Sequence, residues 1–252
     1  MNLIEVKGDK KSRVKKLFQD SNGGLLPDSI LEGQIGVVLA DNDVDPHFAV
    51  LELGDMPVCF MGGDATHPLA RKYLSGLSRI TQIFITTPDF IPVAHEVHPG
   101  KIVERKRWGF SAEDLDINKL IELQTKIPPE FTIKPLNLDI VNRLGERKNK
   151  FAELHGSTFE SPEDFIEKGV GFCAFKDDQL ACVGSSFIVC EKGIEIQIDT
   201  NPKFQGNGLA TAVAAHLMVH CLENDLEPGW DAATPISAKL ANKGPLHFTD
   251  TT

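Results

Sequence analysis

Residues 195–225 read EIQIDTNPKFQGNGLATAVAAHLMVHCLEND. An alternating run ending at Asn201-Pro202 gives a strand, an apolar periodic run over roughly 208 to 223 gives a long helix, and Gln205-Gly206-Asn207-Gly208 joins them. Gly206 and Gly208 expose backbone N–H groups where a side chain would obstruct a ligand. The helix that follows adds its unpaired N–H groups and the positive end of its dipole. The stretch therefore reads as a cradle for a phosphate or pyrophosphate. Glycine is also the ordinary residue of a tight strand-to-helix turn. The stretch is neither a G-x-x-x-x-G-K-[ST] phosphate loop nor a G-x-G-x-x-G dinucleotide fingerprint.

Working outward, SPEDFIEKG (161–169) is a short helix with Ser161 as its cap and Pro162 at its first position. The run from 170 to 200 reads as three antiparallel strands, turning at Asp177-Asp178 and at Glu191-Lys192-Gly193. After the glycine stretch and its helix come a strand from Trp230, a short helix over Ser237 to Asn242, and LHFTD. Helix, three strands, helix, strand, helix, strand is the order of an α+β domain on a central mixed sheet. Upstream, IGVVLAD, HFAVLELG, MPVCFMGG and TQIFITTPD read as strands and ATHPLARKYLSGL as a helix, a mixed α/β unit with no fingerprint of its own. In SAEDLDINKLIELQTK, Ser111 three residues before Asp114 is a weak capping signature. The boundary between halves falls within 110 to 130 and is set at 125/126, giving domains 1–125 and 126–252.

With 252 residues the chain is long enough for two ordinary domains, and 41 % hydrophobic and 25 % charged residues suit a globular protein. A net charge of -10 argues against nucleic acid and anionic membrane surfaces as partners and leaves small molecules as the default. The N-terminus has no apolar stretch long enough for a signal peptide, so the expectation is a cytoplasmic protein. Five cysteines without C-x-x-C spacing read as reduced, mostly buried thiols.

Gln205-Gly206-Asn207-Gly208-Leu209-Ala210 resembles the Q/R-x-x-G-x-G/A signature of the GNAT acetyltransferase superfamily, and it stands after a strand and before a helix as that signature requires. GWDAATPISAKLANK (229–243) and SPEDFIEKGVGFCAF (161–175) are similar to stretches of a bacterial GNAT branch that resembles antibiotic-resistance acetyltransferases. The resemblance covers about residues 130–252. It implies a fold that binds acetyl-CoA as cosubstrate, with N–H groups around 206 to 210 on the pyrophosphate. It also implies that the strand ending at Ile198-Asp199-Thr200 splays from its neighbour, so that its main chain pairs with the pantetheine arm. Thr234 and Ser237 fall at positions that touch the cofactor in that branch; Thr234 stands where asparagine is usual, and Ser237 is equally a normal helix start. The implied reaction is direct acetyl transfer to an amine of a small molecule or peptide.

Glu195 is the candidate base. It shares a strand face with Gln197, and GNAT members often use a carboxylate on this strand; the plainer alternative is a surface glutamate on an exposed face. Gly244-Pro245-Leu246 replaces the usual Leu-Gly-aromatic turn, and Tyr73 is the sole tyrosine, so the familiar C-terminal tyrosine acid is absent. An alternative therefore stands: a catalytically impaired CoA-binding or interaction module of the same fold. The first half would cover the acceptor site or form a homodimer contact. His216 and His220, four apart, lack a third ligand, and HEVH (95–98) has the wrong spacing for zinc, so no metal is assigned. KIVERKRWGF (101–110) reads as a solvent-facing strand in preference to an RNA patch with Trp108 as a stacking surface.

Overall fold

The computed structural model describes residues 2–19, 24–77, 80–105, 107–113, 115–243 and 247–249. Its chain divides into two units, Met1–Lys106 and Arg107–Thr251. The first contains β1 (Ile4–Glu5), α1 (Lys11–Lys15), α2 (Leu26–Glu32), β2 (Val37–Ala40), β3 (Phe48–Glu52), β4 (Val58–Gly63), α3 (Pro68–Gly76), β5 (Gln82–Ile85) and α4 (Phe90–Val97). Its sheet has the order β1-β2-β3-β4-β5, antiparallel throughout except for the parallel pair β4–β5 that α3 connects. Phe48, Phe60, Met61, Leu74 and Phe90 are fully enclosed in this unit.

The second unit contains β6 (Trp108–Ser111), α5 (Ile117–Gln124), β7 (Phe131–Pro135), α6 (Leu138–Leu144), α7 (Pro162–Lys168), β8 (Gly171–Lys176), β9 (Gln179–Cys190), β10 (Gly193–Thr200), α8 (Leu209–Glu223), β11 (Glu227–Ala232), α9 (Pro235–Lys243) and β12 (His247–Thr249). The sheet order is β12-β6-β11-β10-β9-β8-β7. Within it, β7-β8-β9-β10-β11 repeats the first unit's scheme: antiparallel pairs, then one parallel pair joined by a helix. The chain thus carries one topology twice.

Helix α8 is buried on nearly every side, with Leu209, Val213, Leu217 and Cys221 among its enclosed residues. One side meets the sheet, and another meets α5, whose Leu120 is fully buried in a core with Ala214, Ala215, Met218 and Trp230. That accounts for an apolar run with little amphipathic bias.

Local departures from the sequence reading have simple causes. The boundary at 125/126 falls inside the second unit, because β6 lies within its sheet and α5 within its core. The cap of α5 is Asp116, which accepts from the N–H groups of Asn118 and Lys119; Ser111 belongs to β6, and Asp114 lies outside the described residues. Strand β6 is no solvent-facing edge but sits between β12 and β11, with Trp108 packed against the α8 core. Strand β11 begins at Glu227, ahead of the expected Trp230. Pro228 is tolerated there because Glu227 directs its N–H to Lys192, just ahead of β10, while β6 pairs only from Trp230 onward. Ser161 caps α7, its Oγ accepting from Asp164 N–H at 3.2 Å. Among the described residues, no helix is long and apolar enough to cross a membrane.

Candidate active site

The parallel pair β10–β11 is short. Its register runs Gly193↔Glu227, Ile194↔Pro228 and Glu195↔Gly229 and then stops, although β10 continues to Thr200 and β11 to Ala232. Beyond that point β10 is held only by β9, and β11 only by β6. The two strands part.

Two features sit where they part. The β9–β10 register slips between Glu195 and Ile196, leaving Phe187 of β9 as an extra residue whose carbonyl accepts from Thr158 Oγ1. A bulge of this kind bends its strand and increases the local twist, which turns the rest of β10 away from β11. The second feature is Glu195 itself. A ladder advancing by twos from Glu227 N–H···O Lys192 would deliver the Asp231 N–H to the carbonyl of Ile196. Instead Glu195 Oε1 accepts it at 2.9 Å. Glu195 is 6 % exposed, so the alternative of a surface glutamate fails. Asp231 is anchored further by Arg107, whose Nε donates to Oδ2 at 2.5 Å and whose Nη2 donates to the Asp231 carbonyl at 3.1 Å. Burial pushes the Asp231 carboxyl above its ordinary range despite that guanidinium.

The gap exposes main chain. Asn201 N–H donates to Ala181 of β9, so Asp199, two residues earlier, also directs its backbone to β9. Ile198 and Thr200 alternate with it and turn their backbone groups to the gap. The side chains alternate as well. Ile196 and Ile198 lie against the α8 core, whereas Glu195, Gln197 and Asp199 share the opposite face.

At the far end of β10 the chain makes the turn Gln205-Gly206-Asn207-Gly208. Gly206 and Gly208 have φ of +84° and +78°, a region that favours glycine. A Cβ at Gly206 would meet nothing within 4 Å, and one at Gly208 would approach only the Lys126 carbonyl, at 3.3 Å. Asn207 Nδ2 donates to the Phe204 carbonyl at 3.0 Å and braces the turn. Helix α8 starts at Leu209 with no side-chain cap, so its leading N–H groups, those of Leu209 and Ala210 included, are offered outward. Leu209 itself is buried and fixes the helix to the sheet.

Thr234 and Ser237 both have partners within the protein. Thr234 caps α9, its Oγ1 accepting from Ser237 N–H at 3.2 Å, so Ser237 is not the helix start. Ser237 Oγ instead accepts from Trp230 Nε1 at 3.1 Å, tying α9 to β11. Residues 244 to 246 lie outside the described residues. His216 stacks on Phe172 with ring centroids 5.1 Å apart, and burial lowers its basicity. Among the described residues, no three His, Cys, Asp or Glu side chains converge as metal ligands. The five cysteines are buried; burial raises the Cys182 thiol, next to the gap at Thr200, to about 12.

Sequence reasoning missed His155. Its side chain is completely enclosed, with Nδ1 2.7 Å from Ser185 Oγ and Nε2 3.2 Å from Asp199 Oδ2. The segment before α7 carries no motif that flags it. It also missed Arg107, which it assigned to the other half of the chain.

A parted parallel pair, with an uncapped helix start at the end of one strand, leaves main-chain groups of β10 and the leading N–H groups of α8 open along one strand edge. A profile of the GNAT acetyltransferase family matches residues 15–250, and the chain belongs to that family. It is 24 % identical to an uncharacterized N-acetyltransferase, YdfB, of Bacillus subtilis (strain 168), over 98 % of this chain and 97 % of that one. A GCN5-related N-acetyltransferase-like protein of Streptococcus suis 89/1591 superposes with TM-score 0.80 and 25 % identity over 96 % of both chains. A tandem GNAT protein from the clavulanic acid biosynthesis pathway shares the fold at TM-score 0.53 and 10 % identity, over 84 % of this chain and 80 % of that one.

Proposed function

We propose that the protein transfers an acetyl group directly from acetyl-CoA to an amine of a small molecule or peptide. The reading rests chiefly on the parted strands that run into an uncapped, glycine-bordered helix start. The pyrophosphate lies on the N–H groups of residues 206 to 210, where the dipole end favours negative charge. The pantetheine arm pairs with the backbone of Ile198 and Thr200 in the gap.

The acceptor nitrogen, in its neutral form, attacks the thioester carbonyl carbon. The N–C bond forms as the carbonyl electrons move onto oxygen, and a main-chain N–H of the gap stabilises that charge. Collapse breaks the C–S bond and expels the CoA thiolate, which needs little help because a thiol is already fairly acidic. Glu195 takes the proton from nitrogen, directly or through a water, with its carboxylate held in place by the Asp231 N–H. With the Cys182 thiol buried and fully protonated at neutral pH, direct transfer in a ternary complex is favoured over an acyl-enzyme.

One observation favours the second reading, a CoA-binding module with impaired chemistry. Thr234 already directs its hydroxyl oxygen to the cap of α9, in a position that the family resemblance gives to the cofactor arm.

The test is calorimetric titration with acetyl-CoA of the wild-type protein and of Gly206→Asp and Gly206→Asn. The two variants share a side-chain shape that tolerates positive φ and differ in charge. Binding in the micromolar range, about -8 kcal/mol, is expected for wild type. The aspartate should weaken it at least tenfold more than the asparagine. Absence of wild-type binding would overturn the assignment.

A further inference from the structure

On the β10 face turned away from α8, Gln197 Nε2 donates to Asp199 Oδ2 at 3.1 Å. His155 Nε2 faces the same oxygen at 3.2 Å from a fully enclosed side chain, and Ser185, which it meets through Nδ1, is itself fully buried. Ser185, His155 and Asp199 therefore form a chain in which the serine is closed to substrates and acts as a support. Burial alone would raise the Asp199 carboxyl, but the adjacent His155 ring and the bond from Gln197 outweigh it and hold the group below the ordinary carboxylate range. It is ionised at neutral pH.

The partners leave a specific deficit. Pointing its amide nitrogen at the carboxylate fixes the Gln197 orientation, because the flipped form would set oxygen against oxygen. That leaves Gln197 Oε1 buried without a hydrogen-bond partner, and His155 Nε2, also buried, lacks hydrogen-bond geometry to Asp199. A buried orphan acceptor is costly, and native proteins rarely leave one without a reason. Asp199, by contrast, keeps 43 % of its side chain exposed. An accessible carboxylate whose donor is the Gln197 amide and an unfilled amide oxygen of that same residue lie one hydrogen bond apart. An ammonium group supplies three donors, no acceptor and the complementary charge.

We propose that Asp199, oriented by Gln197 and by the buried Ser185–His155 pair, is the ammonium-binding group of the acceptor site, and that the acceptor class is an amine carrying a second positive charge. The proposal rests on the transferase reading for the identity of the site as an acceptor site. The geometry suits a division of labour along one strand face. Glu195 stands where the strands part, and Asp199 is four residues on, about 13 Å along the strand. One nitrogen of the acceptor reacts near Glu195 while the other is held by Asp199.

The experiment compares binding of 1,8-diaminooctane and octylamine, which share a chain length and differ by one charge, to the full-length protein by calorimetry. Wild type should prefer the diamine by about tenfold or more, the scale of one charge-assisted hydrogen bond. Asp199→Asn should abolish the preference, and Asp199→Glu should restore part of it. No preference in wild type, or a preference that persists in a folded Asp199→Asn protein, overturns the proposal. If Asp199→Asn does not fold, the wild-type ratio alone decides. Acetyl-CoA titration of the same wild-type sample reports separately: its failure with the diamine preference intact would remove the transferase reading and leave the ammonium site standing.

Discussion

The two units use the same strand order and differ most where a parallel pair meets a helix. In the first unit β4 and β5 stay paired from Val58↔Gln82 to Met61↔Ile85, and Thr86 N–H continues the ladder to the Met61 carbonyl at 3.1 Å. In the second, the equivalent pair opens after Glu195↔Gly229. The first turn is filled: a Cβ at Gly62 or Gly63 would come within 2.5 or 2.1 Å of a backbone carbonyl oxygen, so these glycines serve close packing. The second has open space at Gly206. The first helix start is occupied, with His67 Nδ1 accepting from Leu69 N–H at 3.3 Å. Asp64 brings negative charge to the same turn, its carboxyl held low by the Thr66 hydroxyl and N–H. The start of α8 has no such cap. Topology alone therefore does not make a site. A bulge, a buried carboxylate that takes one ladder N–H, and an unfilled turn distinguish the second half.

The largest effect should come from the carboxylate at the fork. Glu195→Gln keeps an oxygen for the Asp231 N–H and removes the proton acceptor. The rate of acetyl transfer should fall by about 10²- to 10⁴-fold while acetyl-CoA affinity changes little. Glu195→Ala should do the same to the rate and also cost about 1–3 kcal/mol of stability, since the buried N–H loses its partner. If both variants turn over like wild type, Glu195 is only a structural wedge, and the contrast between the units is one of shape alone. Acetyl-CoA turnover followed by thiol release, with chemical denaturation beside it, separates these outcomes.

A smaller effect is expected from the closed half. His67→Ala removes the acceptor that caps α3 and should destabilise the first unit by about 1 kcal/mol. Thr234→Ala removes the cap of α9 at a similar cost in the second unit. Only the second change should also alter acetyl-CoA affinity if the resemblance-based role of Thr234 holds. Equal effects of both on affinity would mean that the first turn is not the inert counterpart its packing suggests. Thermal melts and acetyl-CoA titrations of the two variants give the answer.

Much of this contrast was legible in residues 195–225, because strand alternation, two glycines and a long apolar helix are local signals. The meander, the cap at Ser161 and the placement of Glu195 on a strand face with Gln197 follow from the same periodicities. What was not legible depends on partners distant in sequence. The burial of Glu195 is set by Asp231, 36 residues away, and the anchoring of Asp231 by Arg107, 124 residues away. His155 gains a role only because β9 and β10 bring Ser185 and Asp199 beside it. Strand β6 looked like the end of the first half because short strands with polar flanks carry little information about which sheet they join. The repeat itself escaped notice because the units share topology without a shared motif at the turn.

The smallest effect concerns acid. Asp199 and Asp231 lie in the open half and shift in opposite directions although burial raises both: the His155 ring and the bond from Gln197 hold Asp199 low, and desolvation keeps Asp231 high despite Arg107. A lowered carboxyl stabilises the fold above its unfolded value, and that contribution disappears as pH falls through the folded value. A raised carboxyl does the reverse: its contribution is present below the unfolded value and is lost as pH rises through the folded one. Melting temperatures from pH 7 to pH 3 should therefore fall less steeply in Asp199→Asn than in wild type, and more steeply in Asp231→Asn. Partial exposure of Asp199 screens its share, so the change in slope should be modest and should shrink further in high salt. Identical slopes in all three proteins would mean that the His155 pairing does not hold Asp199 low. The charge proposed to bind an ammonium group would then lack its support.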